Sequence, residues 1–220
     1  ESDVMVDSPT NNFCTWNPIS TSASYIGTLS EGNLRYNPAG ATMATANGMT
    51  GTVKVSSGKW YFETGMLDGG NDFHTCISGT DSSGTQKSYK LYSGTYFYGD
   101  TNFSLGWPSP PANGSVYGCA FDLGNNKIWF SYNGTWYNSG NPATNTNGIS
   151  LTSGLTDVSI FTQHPNASYD GDDITNCGAD SSFAGLKTPQ GNQDANGIGD
   201  FFYAPPSGFL ALCTKSLPSV

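Results

Sequence analysis

The sequence predicts an all-β fold, an antiparallel β-sandwich, from its composition, its periodicity and its turns. Its 220 residues include 28 Gly, 12 Tyr, 12 Phe and 5 Trp, and only 11% are charged. This composition favours strands over helices, because aromatic residues suit strands whereas helices depend on residues such as Glu, Lys and Arg. No segment repeats apolar residues at helical spacing over three turns. A chain of this length can form one large sandwich, and we predict a single domain over residues 1–220.

The clearest turn signals lie in the stretch SVYGCAFDLGNNKIWFSYNGTWY, residues 115–137. Gly and Asn adopt positive φ at low cost, so Gly124-Asn125-Asn126 and Asn133-Gly134 are typical of tight hairpins. These turns separate three runs rich in aromatic and apolar residues. We therefore predict a meander of three antiparallel strands over residues 116–123, 127–132 and 135–138.

Further strands are predicted where apolar runs lie between Gly, Ser and Asn. In the run 59–66, Trp60 and Phe62 should project to one face and Tyr61 and Glu63 to the other, because side chains alternate along a strand. The remaining predicted strands cover residues 25–29, 33–36, 51–55, 73–79, 86–92, 95–98, 155–162, 200–203 and 209–212.

Two segments are predicted to lack regular structure. Residues 1–22 carry two prolines and many polar turn formers, with Phe13 and Trp16 as isolated apolar anchors. We expect an extended N-terminal segment that packs on the sandwich through these two rings. Residues 163–199 are rich in Asn, Asp and Gly, and we predict an irregular region there.

The charge of the chain argues against nucleic-acid and membrane partners. The net charge is −9 and Arg35 is the only arginine, whereas phosphate backbones require clustered Lys and Arg. No apolar run approaches the length of a membrane span. The start of the chain has neither an initiator Met nor a basic region followed by an apolar core, so we expect a processed product or a piece of a longer polypeptide.

The five cysteines do not form a metal motif. None of them is in a C-x-x-C pair, which excludes the usual zinc-ribbon spacing. Cys76 and Cys119 lie inside apolar strand patterns, where a free thiol behaves as a small hydrophobe. We predict buried free thiols, and a disulfide between Cys14 and Cys213 remains the alternative.

The sequence does not predict an enzyme. Its two histidines, His74 and His164, accompany no nucleophile-elbow motif such as G-x-S-x-G. Glycosidases require two carboxylates across the scissile bond, and no acidic strand of the form E-x-D-x-E is present. Glu63 is the one glutamate on a strongly predicted strand, and we interpret it as a hydrogen-bond partner of a neighbouring strand or of backbone.

An acidic loop near the C-terminus allows two interpretations. Asp194, Asn196 and Asp200 place side-chain oxygens at positions 1, 3 and 7 of a Gly-containing stretch. Calcium favours such oxygen sets, so these residues could hold a structural Ca²⁺. Asx turns, which form without an ion, are the alternative. No cofactor is required on either interpretation.

Aromatic residues near loops are the best candidates for ligand binding. Aromatic rings stack on the C–H faces of sugars, and loops on a rigid sandwich are a usual place for binding residues. The alternative is that these rings cover the core or a subunit interface. The candidates are Tyr89, Tyr92, Tyr96 and Tyr98 in one predicted hairpin, together with Trp107 and Trp136.

Several sequence blocks resemble a known family. GKWYFE, the meander itself and the closing PPSGF pattern resemble the SPRY domain, a concanavalin-like bent β-sandwich of jelly-roll type. The blocks DSPTNNF–TWNP, NSGNPAT and GADSSFAGLKTPQGNQDANGIGDFFYAPPSGFLALCT are similar to SPRY-type proteins of tailed bacteriophages. Such proteins usually occur in virions, including tail fibres and appendages.

The resemblance implies a non-enzymatic virion module at the surface of the particle. We expect a tail-fibre or appendage domain that binds a host-surface glycan or protein and assembles with other virion proteins as a homo- or hetero-oligomer. The alternative is a structural virion protein, such as a capsid decoration or an assembly joint. A polysaccharide depolymerase is the least favoured interpretation, because no acid/base pair is visible.

Overall fold

Two β-sheets face each other in the computed structural model, which describes residues 11–20, 27–37, 49–68, 74–92, 96–163 and 171–218. Within these ranges no helix is long and apolar enough to cross a membrane. The strands are β1 Thr28–Ser30, β2 Arg35–Asn37, β3 Met49–Thr50, β4 Lys59–Asp68, β5 His74–Thr80, β6 Gln86–Tyr92, β7 Tyr96–Tyr98, β8 Phe103–Ser104, β9 Val116–Asp122, β10 Lys127–Tyr132, β11 Thr135–Trp136, β12 Ile149–Ser150, β13 Thr156–Thr162, β14 Asp172–Asn176 and β15 Leu210–Ala211. Short 3-10 helices occur at Pro18–Ser20, Tyr137–Ser139, Pro142–Thr144 and Thr214–Ser216.

The larger sheet has the strand order β1-β2-β14-β4-β9-β10-β11, with β12 paired to β10 and β15 paired to β4. The smaller sheet has the order β3-β13-β5-β6-β7-β8. The described strand pairs are antiparallel except for β15, which runs parallel to the start of β4. The fold is therefore an all-β, antiparallel sandwich, as the sequence predicts.

The main hydrophobic core fills the space between the two sheets. The larger sheet contributes Trp60, Phe62 and Phe130, and the smaller sheet contributes Ile77 and Phe97. These residues alternate with outward-facing neighbours along each strand, because successive side chains of a strand point to opposite faces.

A second hydrophobic core covers the outer face of the larger sheet. Tyr61 of β4 and Trp129 of β10 point to this side and pack with Phe201 and Phe209. The covering layer is formed mainly by residues 177–213, which we call the covering segment. Because both faces of the larger sheet are packed, its central strands are buried along almost their whole length, as the unbroken burial of β9 shows.

A buried carboxylate joins the covering segment to the larger sheet. Glu63 points to the outer face of β4 and is fully buried. Its oxygens accept hydrogen bonds from the backbone N–H groups of Phe202 at 2.9 Å and Tyr203 at 2.7 Å. The Tyr61 hydroxyl at 3.0 Å and the Asn176 amide at 3.3 Å donate to the same carboxylate. Glu63 is therefore the backbone and side-chain partner that the sequence predicts, and its role here is structural.

The predicted meander is confirmed, with strands β9, β10 and β11 separated by the expected turns. Strand β10 has the predicted bounds, and β11 ends two residues early because a 3-10 helix begins at Tyr137. The N-terminal anchors are also confirmed. Phe13 bridges Cys213, Trp16 bridges Gly51, and both rings are buried. Residues 1–10 and 21–22 of this segment lie outside the described residues.

Two predictions for the C-terminal third are wrong. Residues 163–199 are not irregular throughout, because β14 lies within them, between β2 and β4 of the larger sheet. Residues 200–203 do not form a strand. Phe201 makes only an isolated bridge to Asn192, and the next two N–H groups donate to Glu63 instead of to a neighbouring strand.

The cysteine prediction is confirmed: all five thiols are free and buried. Cys14 and Cys213 lie on adjacent segments, since the Cys14 N–H donates to the Leu212 carbonyl at 2.8 Å. They do not form the disulfide that the sequence left open. Cys76 has its thiol 2.6 Å from the Phe161 carbonyl, within the smaller sheet.

The buried Glu63 predicts a pH-dependent stability. Burial raises the pKa of Glu63 from 4.5 to about 7, against the opposing effect of its hydrogen-bond donors. Between these pH values the native state holds a proton that the unfolded state releases, so the free energy of unfolding should fall as the pH rises. Relative to Glu63→Gln, which cannot ionise, the wild type should lose about 3 kcal/mol over this range. Urea unfolding of both proteins at several pH values measures this difference, and parallel profiles would contradict the raised pKa.

Candidate functional site

A groove of about 590 Å³ opens between β8 and the loop that connects β11 to β12. Its walls combine aromatic, amide and cationic side chains, and none of its lining residues is acidic. The lining residues are Phe103, Lys127, Tyr137, Asn138, Asn145, Asn147, Gly148 and Ile149.

The loop over residues 137–148 owes its shape to asparagine. Asn138, Asn145 and Asn147 have φ values of 54°, 57° and 52°, a region that Asn enters more readily than most residues. The Asn141 and Thr146 backbones exchange hydrogen bonds of 3.0 and 2.9 Å, which close the loop on itself. Each reversal of the chain thus places an exposed amide near the groove.

Trp129 supports this loop from the outer side of the larger sheet. Its indole N–H donates to the Thr146 carbonyl at 2.8 Å. A Cβ atom at Gly148 would lie 2.6 Å from the Trp129 ring, and one at Gly140 would lie 2.9 Å from it. Only glycine allows the loop backbone to approach the indole so closely.

A series of aromatic rings connects the groove to the main core. Phe130 lies 5.9 Å from Phe97, Phe97 lies 5.1 Å from Phe103, and Phe103 lies 5.8 Å from Tyr137, each measured between ring centroids. The Phe103 and Tyr137 rings are nearly parallel, with an interplanar angle of 26°. The groove wall is therefore continuous with the packed interior, which fixes its geometry.

The polar groups of the groove are partly unused. The Lys127 ammonium donates to the Gly148 carbonyl at 3.4 Å and to the Ser150 hydroxyl at 3.2 Å. The Asn147 amide donates to the Asn138 carbonyl at 3.0 Å. The side-chain amides of Asn138 and Asn145 have no protein partner among the described residues, and both residues are exposed. Aromatic rings beside free amides are suited to a ligand with both C–H faces and hydroxyl groups.

The structure does not bring the six predicted binding residues together. Tyr89 is not available to a ligand, because it is 1% exposed and packs in the main core. Its hydroxyl donates to Asp100 at 2.7 Å and accepts the Thr152 N–H at 2.7 Å. Trp136 packs on the second core, 6.4 Å from Tyr61 in an edge-to-face arrangement.

Trp107 supports the groove without lining it. Its ring lies edge-to-face against Tyr137 at 6.1 Å and stacks on Tyr132 at 5.9 Å. The ring is half-buried against the main core. Through Tyr137 it contacts the groove wall from behind.

The other three candidates form a separate surface, which we call the tyrosine patch: Tyr92, Tyr96 and Tyr98. Tyr92 lies 5.6 Å from Tyr98, and Tyr96 lies 6.5 Å from Tyr98. Tyr96 is 47% and Tyr98 37% exposed. Because Phe97 points into the core between them, the patch faces outward from the smaller sheet, away from the groove.

Phe103, Tyr137 and the loop asparagines are not among the binding residues that the sequence predicts. Phe103 lies on a strand of two residues, and Tyr137 lies in a 3-10 helix after the meander. The signal that could have found this loop is its four asparagines within the run NSGNPATNTN. Such clustering is typical of a loop with several left-handed residues.

The carboxylates of the acidic loop accept backbone N–H groups from the loop itself and from neighbouring segments. One Asp194 oxygen accepts the N–H groups of Asn196 and Ile198 at 2.8 and 2.9 Å, and the other accepts the Ala211 N–H at 2.8 Å. Asp200 accepts the Gly191 N–H at 3.1 Å. The hydrogen bond from the Asn196 N–H to Asp194, two residues earlier, is the contact that an Asx turn makes. Among the described residues, no group of three or more His, Cys, Asp or Glu side chains could hold a metal ion, and the calcium site stays a prediction.

His74 begins β5 and pairs with Tyr92 in the strand register, while His164 lies outside the described residues.

Comparison with solved structures finds a similar fold in the SPRY domain of human HERC1, known from a crystal structure. The TM-score is 0.45 and the sequence identity is 12%, over 73% of this chain and 96% of that chain. No family model and no curated protein sequence matches the chain. The assignment to the β-sandwich class therefore follows from the two antiparallel sheets described above.

The close approach of the loop to Trp129 is testable. Gly148→Ala should lower the free energy of unfolding by about 2 kcal/mol, because the added methyl group overpacks the indole. Gly124→Ala is a matched control, since neither glycine has positive φ and the nearest atom to a Cβ there is Asp122 Oδ1, at 3.3 Å. Urea unfolding of the two variants measures the difference, and equal stabilities would contradict the packing described here.

Proposed function

We propose that the chain is a non-enzymatic binding module of a phage virion, a tail-fibre or appendage domain, and that its groove binds a host-surface glycan. The observation that carries this proposal is the groove itself, where the Phe103 and Tyr137 rings lie beside free asparagine amides.

A sugar ring matches this combination of groups. Its C–H face can stack on an aromatic ring, while amides bind hydroxyl groups as both donor and acceptor. The rings are held by the main core and the amides by a loop packed on Trp129. A site fixed in this way loses little conformational entropy when a ligand binds.

The virion setting is proposed from the sequence blocks that resemble phage SPRY-type proteins, not from the groove. On this proposal the chain lies at the particle surface and assembles with other virion proteins. A sandwich fold by itself hosts many functions, so the binding proposal depends on the groove residues.

Binding is favoured over glycan cleavage for a chemical reason. A depolymerase that hydrolyses a glycosidic bond requires two carboxyl groups across it. None of the eight groove residues is acidic. Glu63 is fully buried under the covering segment and belongs to a different part of the molecule.

The proposal predicts that Tyr137→Ala weakens glycan binding by about tenfold or more, because a stacking ring at the centre of a site contributes strongly to affinity. A glycan array with the wild-type chain identifies ligands, and calorimetry then compares the variants. Tyr96→Ala is the control, since Tyr96 is more exposed but lies in the tyrosine patch.

Two results would overturn the proposal. The wild type could bind no glycan of the array at millimolar ligand. Alternatively, Tyr96→Ala could abolish binding while Tyr137→Ala leaves it intact, which would move the site to the tyrosine patch.

A second candidate function is a structural virion protein, and the tyrosine patch favours it. Exposed tyrosines are enriched at protein interfaces because they combine apolar area with a polar end. On this alternative the patch packs against a further copy of the chain in the assembled particle. Sedimentation should then show self-association of the wild type and a monomer for the double variant Tyr96→Ser with Tyr98→Ser. A wild type that stays monomeric at high concentration would contradict this role.

A further inference from the structure

We infer that the groove selects an acidic saccharide, one whose carboxylate pairs with the Lys127 ammonium group. This inference rests on the proposed glycan-binding function and adds the charge class of the ligand. It is carried by the position of Lys127 and by the absence of acidic residues from the groove wall.

Lys127 is oriented by its neighbours. It begins β10, and its ammonium group donates to the Gly148 carbonyl and the Ser150 hydroxyl at 3.4 and 3.2 Å. A lysine ammonium has three N–H donors. Two of them face the β12 side of the groove, so one donor remains for a ligand.

No carboxylate of the residues that the structure describes forms a salt bridge with the Lys127 ammonium. Asp122 lies opposite Lys127 in the strand register, but its carboxylate accepts two hydrogen bonds from Asn125 and pairs with Lys59 at 3.5 Å. Among the described residues, Lys127 has no salt bridge, although Lys59, Lys87 and Arg35 each pair with an aspartate. The Lys127 ammonium is therefore an unpaired, half-buried cation inside a concave site.

The wider charge distribution restricts the ligand to a local anion. The whole chain has a net charge of −9, which repels extended polyanions such as nucleic acids. A single sugar carboxylate beside Lys127 avoids this repulsion, since screening limits interactions to about 8 Å at physiological salt. The Asn138 amide, also in the groove, can donate to the same carboxylate or to a neighbouring hydroxyl.

The test compares two ligands that differ only in charge. An oligosaccharide that contains a hexuronic acid is measured by calorimetry beside its carboxyl-reduced form, in which each carboxylate has become a neutral hydroxymethyl group. The wild type should bind the acidic form about tenfold more tightly, as expected for one charge-assisted hydrogen bond. The preference should shrink as salt is raised.

Lys127→Met separates the charge from the packing of the side chain, because Met keeps an apolar stem of similar length. This variant should bind both oligosaccharides with the wild-type affinity for the neutral form. Lys54→Met is the control, since Lys54 is exposed and outside the groove, and it should keep the wild-type preference.

The possible results distinguish the preference for an acidic saccharide from the glycan-binding function on which it rests. Equal binding of the two oligosaccharides by the wild type overturns the acidic preference and leaves glycan binding standing. Failure of both oligosaccharides and of the whole glycan array overturns the binding function, and this inference with it. A preference that persists in Lys127→Met overturns the assignment to Lys127.

Discussion

The fold depends on the burial of the larger sheet on both faces. An antiparallel sheet often leaves one face in water, but here the covering segment packs on the outer face through a second core. Glu63 is one of the polar groups that this arrangement buries, and its carboxylate accepts four donors, two of them N–H groups of the covering segment. If the segment detached, those N–H groups and the Tyr61 ring would each lose their buried partner. The Glu63 carboxylate thus links the covering segment to the larger sheet.

The packing of the outer face of the larger sheet also affects the groove, because Trp129 contacts both. One side of its ring packs edge-to-face against Phe209 of the covering segment, at 6.1 Å, and its N–H holds the Thr146 carbonyl of the groove loop. The loop therefore wraps around one edge of the larger sheet. Tyr137 lies on the main-core side with Phe103, while Gly148 lies against the indole. Trp129 therefore contacts both the groove loop and the covering segment.

Local patterns in the sequence predict most of the sandwich, because alternation and Asn-Gly turns act between neighbouring residues. These patterns fail where the hydrogen-bond partners of polar side chains are residues distant in the sequence. The sequence of strand β14 has the polar composition that is typical of a loop. In the structure, however, Asp172 pairs with Arg35 and Asn176 donates to Glu63. At residues 200–203 the opposite occurs: the aromatic pattern predicts a strand, but the N–H groups of Phe202 and Tyr203 donate to the Glu63 side chain instead of to a neighbouring strand. The candidate site could be predicted less well than the fold. Alternation along a strand shows that the Tyr89 and Tyr92 side chains point to opposite faces of the sheet, but it does not show which of the two faces is buried.

Two charged residues of the molecule, Glu63 and Lys127, have different consequences. Burial raises the pKa of the Glu63 carboxyl to about 7, so its ionisation acts on the stability of the fold. Lys127 is half-buried at the groove, whose lining includes no residue of the covering segment. The carboxyl whose ionisation acts on stability and the cation proposed to pair with a saccharide carboxylate are therefore different residues in different parts of the molecule.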